Sequence, residues 1–388
     1  RNFDYEEIHK GKRIKEEHTD DFTSFVGPAY LSSRNGNFQS SSSSRYRSGK
    51  DQIQAAGELP KIPKPEPCKI LFEMVAGPPY FFYGSVANLS HESWTKVSQF
   101  LYAVEPEFVN TQFFSALIRK EGYAHNLPTE KRFHIHPKSP LSIEEAIPHS
   151  KKWWPSWDTR KQLSCINSET SGISQLCDRL GRILVNSQGL LSVEQQTDIL
   201  HHCRTLNLVW VGHHKLSPME PEYLEQILGY PLHYTQDAEW SLADRLQSLK
   251  HSFQTDTLGY HLSVLKSMYP GGLRLLSLYC GIGSGVVSIE SSPVKQNILK
   301  KWWQNTEQTG ELVQIEDIQK VSSKKLEHLI NRFGGFDLIV CQNPTGNTSK
   351  ISKLDAEDGD CIAGFDFTSF YEFVRILQRV RNTMGRNG

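Results

Sequence analysis

The sequence predicts an α/β fold, with a mostly parallel sheet flanked by helices. Short apolar segments that read as strands alternate with longer segments of helical spacing, which is the pattern of parallel sheets. One apolar run leads directly into a glycine loop, in "LRLLSLYCGIGSG" (273–285). Another ends in a Pro-Thr-Gly turn, in "FDLIVCQNPTG" (336–346), as a buried parallel strand does when it delivers a side chain to the rim of a site.

Helices with recognisable ends precede these two strands. Apolar spacing predicts a helix in "ESWTKVSQFLYAV" (92–104) and another in "GYHLSVLKSMY" (259–269). A third helix begins after Ser192, a favourable N-cap residue, and leads into the short buried strand "LVWVG" (208–212). A fourth ends at Gly229, since glycine commonly terminates helices. The last predicted helix, "FTSFYEFVRILQRV", carries an apolar stripe of Phe370, Phe373, Val374, Leu377 and Val380.

Composition excludes several classes of protein. The chain has 388 residues, with 43 Lys and Arg against 43 Asp and Glu. This balance lacks the basic excess expected of a domain held on nucleic acid mainly through phosphates. Seven scattered cysteines do not indicate a disulfide framework, and a reducing compartment is expected. No apolar run is long enough for a membrane span and no signal peptide is visible, so no membrane partner is expected.

The amino-terminal residues 1 to 65 resemble a linker. They contain the mixed-charge run "EEIHKGKRIKEEHTDD", a serine-rich stretch and "PKIPKPEP". Such a composition cannot bury enough apolar surface to offset the ordering entropy, so we predict disorder there. Because the first residue is arginine, the sequence is expected to be a fragment.

The glycine loop indicates a nucleotide-like ligand. Gly281, Gly283 and Gly285 let the backbone approach such a ligand closely. Glu290, at the end of "VVSIE", can accept hydrogen bonds from ribose hydroxyls, and Asp317 in "QIEDI" can contact an adenine edge. This pattern favours S-adenosylmethionine over a dinucleotide.

Long blocks of the sequence then resemble one family. They are "PPYFFYGSVAN", "FLYAVEPEFVNTQFFSALIRKEGYAHNLP", "KKWWPSWDTR", "NLVWVG", "LSPMEPEYLEQILGYP", "HSFQTDTLGYHLSVLK", "LSLYCGIG" and "NRFGGFDLIV". In this order they resemble the plant domains-rearranged DNA (cytosine-5) methyltransferases. The resemblance implies an S-adenosylmethionine-dependent, Rossmann-like methyltransferase domain of permuted motif order over 66–388. Its target-recognition and later-motif half would cover 66–265, and its cofactor-motif half 266–388. It also implies the nucleus, with DNA and the RNA-directed silencing machinery as partners.

The family's chemistry implies roles for particular residues. A flipped cytosine is attacked at C6 by a cysteine thiolate in a Pro-Cys turn, which activates C5 for methyl transfer. By resemblance Glu107 contacts the base and Arg119 steadies it. Without the resemblance, the two residues would be interpreted as a surface carboxylate and its ion-pair partner. The cofactor positions implied by motif and resemblance are Tyr279, Gly281, Gly283, Glu290, Asp317 and Ser252.

Three departures touch this chemistry. The nucleophile position is Thr345, and a threonine hydroxyl is a poor nucleophile without a dedicated base. Cys341 lies four strand residues earlier, roughly 13 Å away at about 3.3 Å per residue, and is predicted to be buried and inert. The family's helix between the glycine loop and "VVSIE" is missing, so either "VVSIE" is not the next parallel strand or a segment has been lost. The family's Gly-Asn-Ser turn reads Lys250-His251-Ser252, which predicts erosion of the cofactor pocket.

These departures resemble the catalytically degenerate, type-three branch of the family, which supports an active paralogue. The first hypothesis is therefore an inactive regulatory partner that forms a heterodimer with that paralogue or pairs with itself. The alternative is an active cytosine-5 methyltransferase with an altered site, and a module that retains cofactor only for stability lies between them.

Two other groups of residues suggest a binding surface, and a third contains metal-ligand residue types without a ligand motif. Interleaved basic and aromatic residues in "KKWWPSWDTR" (151–160) can contact DNA, although a tryptophan-rich packing corner is favoured. Aromatic residues near the chain end, including Phe370 and Phe373, predict a pairing surface in addition to ordinary core. No metal site is predicted from His201, His202, Cys203, His213 and His214, since they lack a ligand motif.

Overall fold

A computed structural model describes residues 65–66, 75–84, 86–133, 142–188, 190–280, 287–306, 310–342 and 365–387. The segment predicted to be disordered, residues 1 to 65, lies outside this set apart from Pro65. The predicted boundaries at 65/66 and 265/266 therefore stay predictions.

The described residues contain seven strands in one sheet and a separate two-stranded hairpin. The strands are β1 (Tyr80–Gly84), β2 (Glu107–Asn110), β3 (Lys120–His125), β4 (Leu208–Gly212), β5 (Lys215–Pro218), β6 (Leu275–Leu278), β7 (Val287–Ile289), β8 (Val313–Ile315) and β9 (Leu338–Gln342). The order in the large sheet is β2-β3-β1-β9-β6-β7-β8. The neighbouring strands β1, β9, β6, β7 and β8 are parallel to one another, while β3 is antiparallel to β1 and to β2. The predicted α/β class with a mostly parallel sheet is confirmed.

Ten α-helices lie among the described residues. They are α1 (His91–Ser98), α2 (Ile143–Ala146), α3 (Ile173–Asn186), α4 (Val193–Leu206), α5 (Pro221–Ile227), α6 (Leu242–Lys250), α7 (Thr255–Met268), α8 (Pro293–Asn305), α9 (Ser323–Phe333) and α10 (Phe367–Asn387). None of the helices in this part of the chain combines the length and apolar character needed to cross a bilayer.

Local sequence signals set two helix ends as predicted. Ser192 caps α4, and its hydroxyl accepts from the Gln195 N–H while the Gln195 side chain accepts from the Ser192 N–H. After α5, Gly229 has φ +81°, and a Cβ there would lie 1.8 Å from the Thr255 hydroxyl. Glycine alone fits both the left-handed backbone and this close approach.

Successive residues of the central strands pack against different layers. Phe81 and Tyr83 of β1 belong to the core that contains α10, whereas Phe82 packs with Phe253 and Leu265 on the side of α7. This alternation follows from the two-residue side-chain period of a strand. Both faces are apolar because both are covered by helices.

Phe370, Phe373 and Leu377 are core, which corrects the pairing surface predicted for them, whereas Phe365 and Phe367 of the same predicted surface are half-buried. Phe370, Phe373 and Leu377 are each 0% exposed. The ring of Phe373 lies 5.0 Å from the ring of Tyr83, and the ring of Phe370 lies 5.5 Å from it. The sequence showed an apolar stripe, but only the packing of α10 on the sheet shows that no part of Phe370 or Phe373 remains free.

The strand after the glycine loop corrects a second expectation. β7, which is the centre of "VVSIE", is the parallel neighbour of β6, with Leu276 opposite Val287. Eight residues, 279 to 286, connect the two strands. Because β6 and β7 are three or four residues long, about 10 Å at roughly 3.3 Å per residue, eight residues are enough to connect them. The alternative that a segment has been lost stays a prediction.

Candidate functional site

The strand order reverses between β6 and β9, which marks the place where ligands bind in open α/β sheets. From β6 the chain proceeds to β7 and β8, and β9 then returns to the other side of β6. Ligands in such sheets bind outside the carboxyl ends of the strands at this point. The loops that follow β6 and β9 contain Gly281, Gly283 and Thr345, and these three predicted site residues lie outside the described residues.

Three predicted cofactor residues follow adjacent strands at this edge. Leu278, Ile289 and Ile315 are in register, and Tyr279, Glu290 and Asp317 come one or two residues later. The N–H of Tyr279 donates to the Ile289 carbonyl over 3.1 Å. Burial raises the pKa of the Tyr279 hydroxyl, which therefore stays protonated.

The two carboxylates at this edge are partly engaged by their own loops. Glu290 is 7% exposed; its Oε1 accepts from the Ser292 N–H at 3.0 Å, and its Oε2 lies 3.9 Å from Lys295 Nζ. Asp317 Oδ1 accepts from the Gln319 N–H at 2.8 Å. A carboxylate oxygen remains on each residue that can accept from a ribose hydroxyl or an adenine amino group. These two positions therefore fit S-adenosylmethionine in part.

The Lys250-His251-Ser252 turn lies against the end of β9. Gln342, the last residue of β9, donates through Nε2 to the His251 carbonyl at 2.5 Å. Ser252 is 2% exposed and its hydroxyl donates to the Leu249 carbonyl. Burial, together with the positive charges of Lys250, Arg119 and Lys295, lowers the pKa of His251 to about 4. A neutral imidazole thus stands in the turn where the family has a small amide.

Arg119 is held by the protein through two of its guanidinium nitrogens, while the third, Nη1, is buried and makes no hydrogen bond within the described residues. Its Nη2 donates to the Ser252 carbonyl at 3.1 Å, and its Nε lies 3.5 Å from Glu121 Oε1. Glu121 is 7% exposed and accepts from the Tyr123 hydroxyl at 2.8 Å. Arg119 therefore links β3 to the Lys250-His251-Ser252 turn, which lies against the end of β9. Glu121 was not predicted as a site residue, although its two-residue spacing from Arg119 and Tyr123 puts all three on one face of a strand.

Glu107 lies in the same row of the sheet as Gln342, but three strands away from it. β2 is separated from β9 by β3 and β1, about 14 Å at roughly 4.8 Å per strand spacing. The residue beside Gln342 on the neighbouring strand is Gly84. The structure thus does not bring Glu107 to the end of β9, and its partner is not Arg119, which corrects the ion pair that was the alternative interpretation.

A buried charge network surrounds Glu107 instead. Arg132 Nη1 donates to both carboxylate oxygens at 2.7 and 2.9 Å, His125 Nε2 lies 2.9 Å from Oε2, and His261 Nε2 lies 3.3 Å from Oε1. Burial alone would raise the pKa of Glu107, but hydrogen bonds from His125, His261 and Arg132 outweigh it and hold the pKa well below its usual range.

The same residues have the donor types of a metal site. The ligand atoms of Glu107, His125 and His261 all lie within 4.8 Å of one another. The Arg132 guanidinium, however, already binds both oxygens of the carboxylate, and a cation beside it would be repelled. This arrangement favours an ion network over a metal centre.

Cys341, the next-to-last residue of β9, is a core side chain. Cys341 is 1% exposed and belongs to the core that contains Tyr83 and Phe370. Burial raises the pKa of its thiol well above the ordinary value. Because the thiolate is the nucleophile, Cys341 has no catalytic capacity in this position.

The tryptophan-rich segment is a packing corner, as the favoured interpretation held. Asp158 and Arg160 form a buried ion pair, and the Trp210 indole donates to Asp158 Oδ2 at 2.7 Å. Trp153, Trp154 and Trp157 are half-buried and pack against the same core, while the flanking Lys151 and Lys152 are exposed. His201, His202, Cys203, His213 and His214 form no ligand cluster in the part of the chain that the structure describes.

Comparison with known proteins places the chain in a family. A rice (Oryza sativa subsp. japonica) protein named "Probable inactive DNA (cytosine-5)-methyltransferase DRM3" is 49% identical over 328 residues, 80% of this chain and 47% of the rice protein. The protein of the same name from Arabidopsis thaliana is 44% identical over 391 residues, 97% of this chain and 52% of its own length. The chain belongs to the plant domains-rearranged DNA methyltransferase family.

A family member not named as inactive matches less closely. The rice "DNA (cytosine-5)-methyltransferase DRM2" is 39% identical over 325 residues, 80% of this chain and 53% of the rice protein. No protein-family model matches the chain. The chain spans about half the length of the curated relatives it matches.

Proposed function

We propose that this chain is a catalytically inactive, methyltransferase-like regulatory protein of RNA-directed DNA methylation in the nucleus. Its partners would be an active family paralogue, DNA and the silencing machinery. The relatives of 44% and 49% identity carry the words "probable inactive" in their names. The observation that carries the proposal is the missing thiol, since Thr345 follows Pro344 where the family has cysteine and Cys341 is buried on the core side.

The cofactor pocket supports the same proposal. When bound, S-adenosylmethionine supplies the methyl group. Glu290 and Asp317 would hold its ribose and adenine through one oxygen each, while Gln342 of β9 holds the turn that contains Ser252 through the His251 carbonyl. The His251 ring and the positive charges around it replace a small amide. This replacement weakens the fit of the turn to the amino-acid end of S-adenosylmethionine. We therefore propose weak cofactor binding in this protein.

A direct assay tests this function. The purified chain is titrated with S-adenosylmethionine by calorimetry and then incubated with methyl donor and duplex DNA, alone and with an active paralogue. We expect no 5-methylcytosine from the chain alone and a changed rate when it is mixed with the paralogue. Autonomous methylation would overturn the proposal and favour the active enzyme. Loss of that activity in Cys341→Ser or Cys361→Ser would then identify the nucleophile.

The pairing surface is proposed on β2 rather than on α10. β2 lies at the edge of the large sheet and carries Phe108, which is 63% exposed, and Phe113 follows it with 69% exposure. Exposed aromatic side chains beside an open strand edge are suited to a protein interface. We propose that the active paralogue binds this surface. The apolar stripe on α10 cannot serve as the pairing surface, because it is fully buried.

A double substitution tests the surface. Phe108→Ser with Phe113→Ser is expected to abolish co-purification with the paralogue while thermal unfolding stays unchanged. Leu190→Ser with Val193→Ser is the matched control, since these side chains are 86% and 77% exposed on another part of the chain. Retained co-purification in the first variant, or equal loss in both, would refute the assignment.

A further inference from the structure

A cavity of about 450 Å³ lies among elements that take no part in the seven-stranded sheet. It is lined by the loop before α3, α3 itself, the end of α4, β5, α5 and α6, and it is partly open to solvent. Its buried apolar lining comes from Ile173, Leu216, Met219, Leu224 and Leu246. The volume lies within the range of about 300–1,000 Å³ that is usual for ligand pockets.

One buried polar side chain in the lining has no partner. Asn207 caps the end of α4 with φ +50° and ψ +47°, and its backbone N–H donates to the Cys203 carbonyl. Its residue is 3% exposed, yet neither Oδ1 nor Nδ2 makes a hydrogen bond within the described residues. Buried amide groups nearly always form hydrogen bonds. The Asn207 carboxamide therefore requires a hydrogen-bond donor and an acceptor from a molecule other than this chain.

The mouth of the cavity is acidic and partly apolar. Glu169 and Asp178 are exposed carboxylates that line the cavity together with Lys215, and none of the three forms an ion pair within the described residues. Leu242, also at the cavity, is 47% exposed. The excess of negative charge disfavours phosphate-bearing ligands and favours a cationic one.

We propose that this cavity binds an extended peptide segment of a partner protein. One aliphatic or aromatic side chain fills the apolar floor, and basic residues on either side of it face Glu169 and Asp178. Each peptide residue offers one N–H and one C=O, which are the groups that the Asn207 carboxamide can pair with. In an extended segment successive side chains point to opposite sides, so the basic neighbours stay at the mouth while the apolar residue enters. This site is independent of the methyltransferase chemistry.

The test uses fluorescein-labelled acetyl-Lys-Lys-Xaa-Lys-Lys-amide peptides, with Xaa as Leu, Ile, Met, Phe or Ser, in anisotropy titrations of the intact chain. We expect saturable binding of at least one apolar peptide and about tenfold weaker binding of the Ser peptide, because the apolar floor is then unfilled. Asn207→Gly retains the left-handed backbone and removes the amide, and it should weaken binding about fivefold with little change in thermal unfolding.

Leu242→Lys places a charge at the mouth and is expected to abolish binding. Leu190→Lys, at an 86% exposed residue that does not line the cavity, is the matched control and should bind normally. The proposal is overturned if no apolar peptide binds saturably, or if the Ser peptide binds as well as the others. It is also overturned if Asn207→Gly and Leu242→Lys bind unchanged, or if adenosine monophosphate binds in place of the peptides.

Discussion

At the scale of single residues, Glu107 is the centre of a charge network that stabilises the outer strands. The Arg132 side chain is 4% exposed and His261 is 0% exposed, so both depend on this carboxylate. Glu107→Gln keeps the shape and removes the charge. Because a buried guanidinium then lacks its counter-charge, we expect the free energy of unfolding to fall by about 3 kcal/mol in urea denaturation.

Glu92→Gln is the control for this prediction. Glu92 pairs with Lys96 at 3.5 Å, but its side chain is 83% exposed, so its loss should change stability by no more than about 0.5 kcal/mol. Equal stability of Glu107→Gln and the wild type would show that the network does not hold the strands.

His251 gives a prediction on pH. The pKa of its imidazole is about 4 in the folded chain against an ordinary value of 6.5. As the pH falls from 6.5 to 4, the unfolded chain takes up a proton at this residue and the folded chain does not, so stability decreases over that window. His251→Asn removes the titration and should make the free energy of unfolding depend less steeply on pH between 6.5 and 4. The measurement is urea denaturation at a series of pH values.

Gln236→Asn is the control for the change to asparagine, because Gln236 is exposed and its side chain does not ionise. It should leave the slope unchanged. If His251→Asn also leaves the slope unchanged, the imidazole is not held neutral in the turn.

At the scale of elements, α10 acts as the cover of one sheet face. Phe373 is 0% exposed and its ring packs on that of Tyr83. We expect Phe373→Ala to lower the free energy of unfolding by about 3–5 kcal/mol, the usual cost of removing a buried phenylalanine ring. Phe108→Ala, at a residue that is 63% exposed, should cost about 0.5 kcal/mol or less. Similar losses for the two variants would contradict the assignment of one to the core and the other to the surface.

At the scale of the whole molecule, a thiol returned to position 345 should not by itself restore DNA methylation. Thr345→Cys returns a sulfur to the turn after β9, but Arg119 stays bound to Ser252 and Glu121, and His251 stays in the cofactor turn. We expect no 5-methylcytosine from Thr345→Cys alone in a duplex DNA assay. Activity in this single variant would mean that the thiol is the only missing part.

Parts of the fold were predictable because they depend on neighbours in sequence. The Ser192 cap, the Gly229 helix end and the parallel apolar strands arise from local hydrogen bonding and side-chain periodicity, and the structure has them where they were predicted. Contacts that join distant segments were not predictable. The contact of Arg119 with the Ser252 carbonyl, the network of Glu107 with His261, and the Asn207 cavity each bring together residues far apart in the chain.

By itself the sequence determined the α/β class, the family and the threonine in place of the nucleophilic cysteine, because these are properties of residue order. Only the tertiary structure decided that Phe370 and Phe373 are core, that Glu107 belongs to a charge network away from β9, and that "VVSIE" is the parallel neighbour of β6. The physical reason is that burial and charge pairing depend on which segments pack together, and one sequence pattern is compatible with several packings until the sheet order is known.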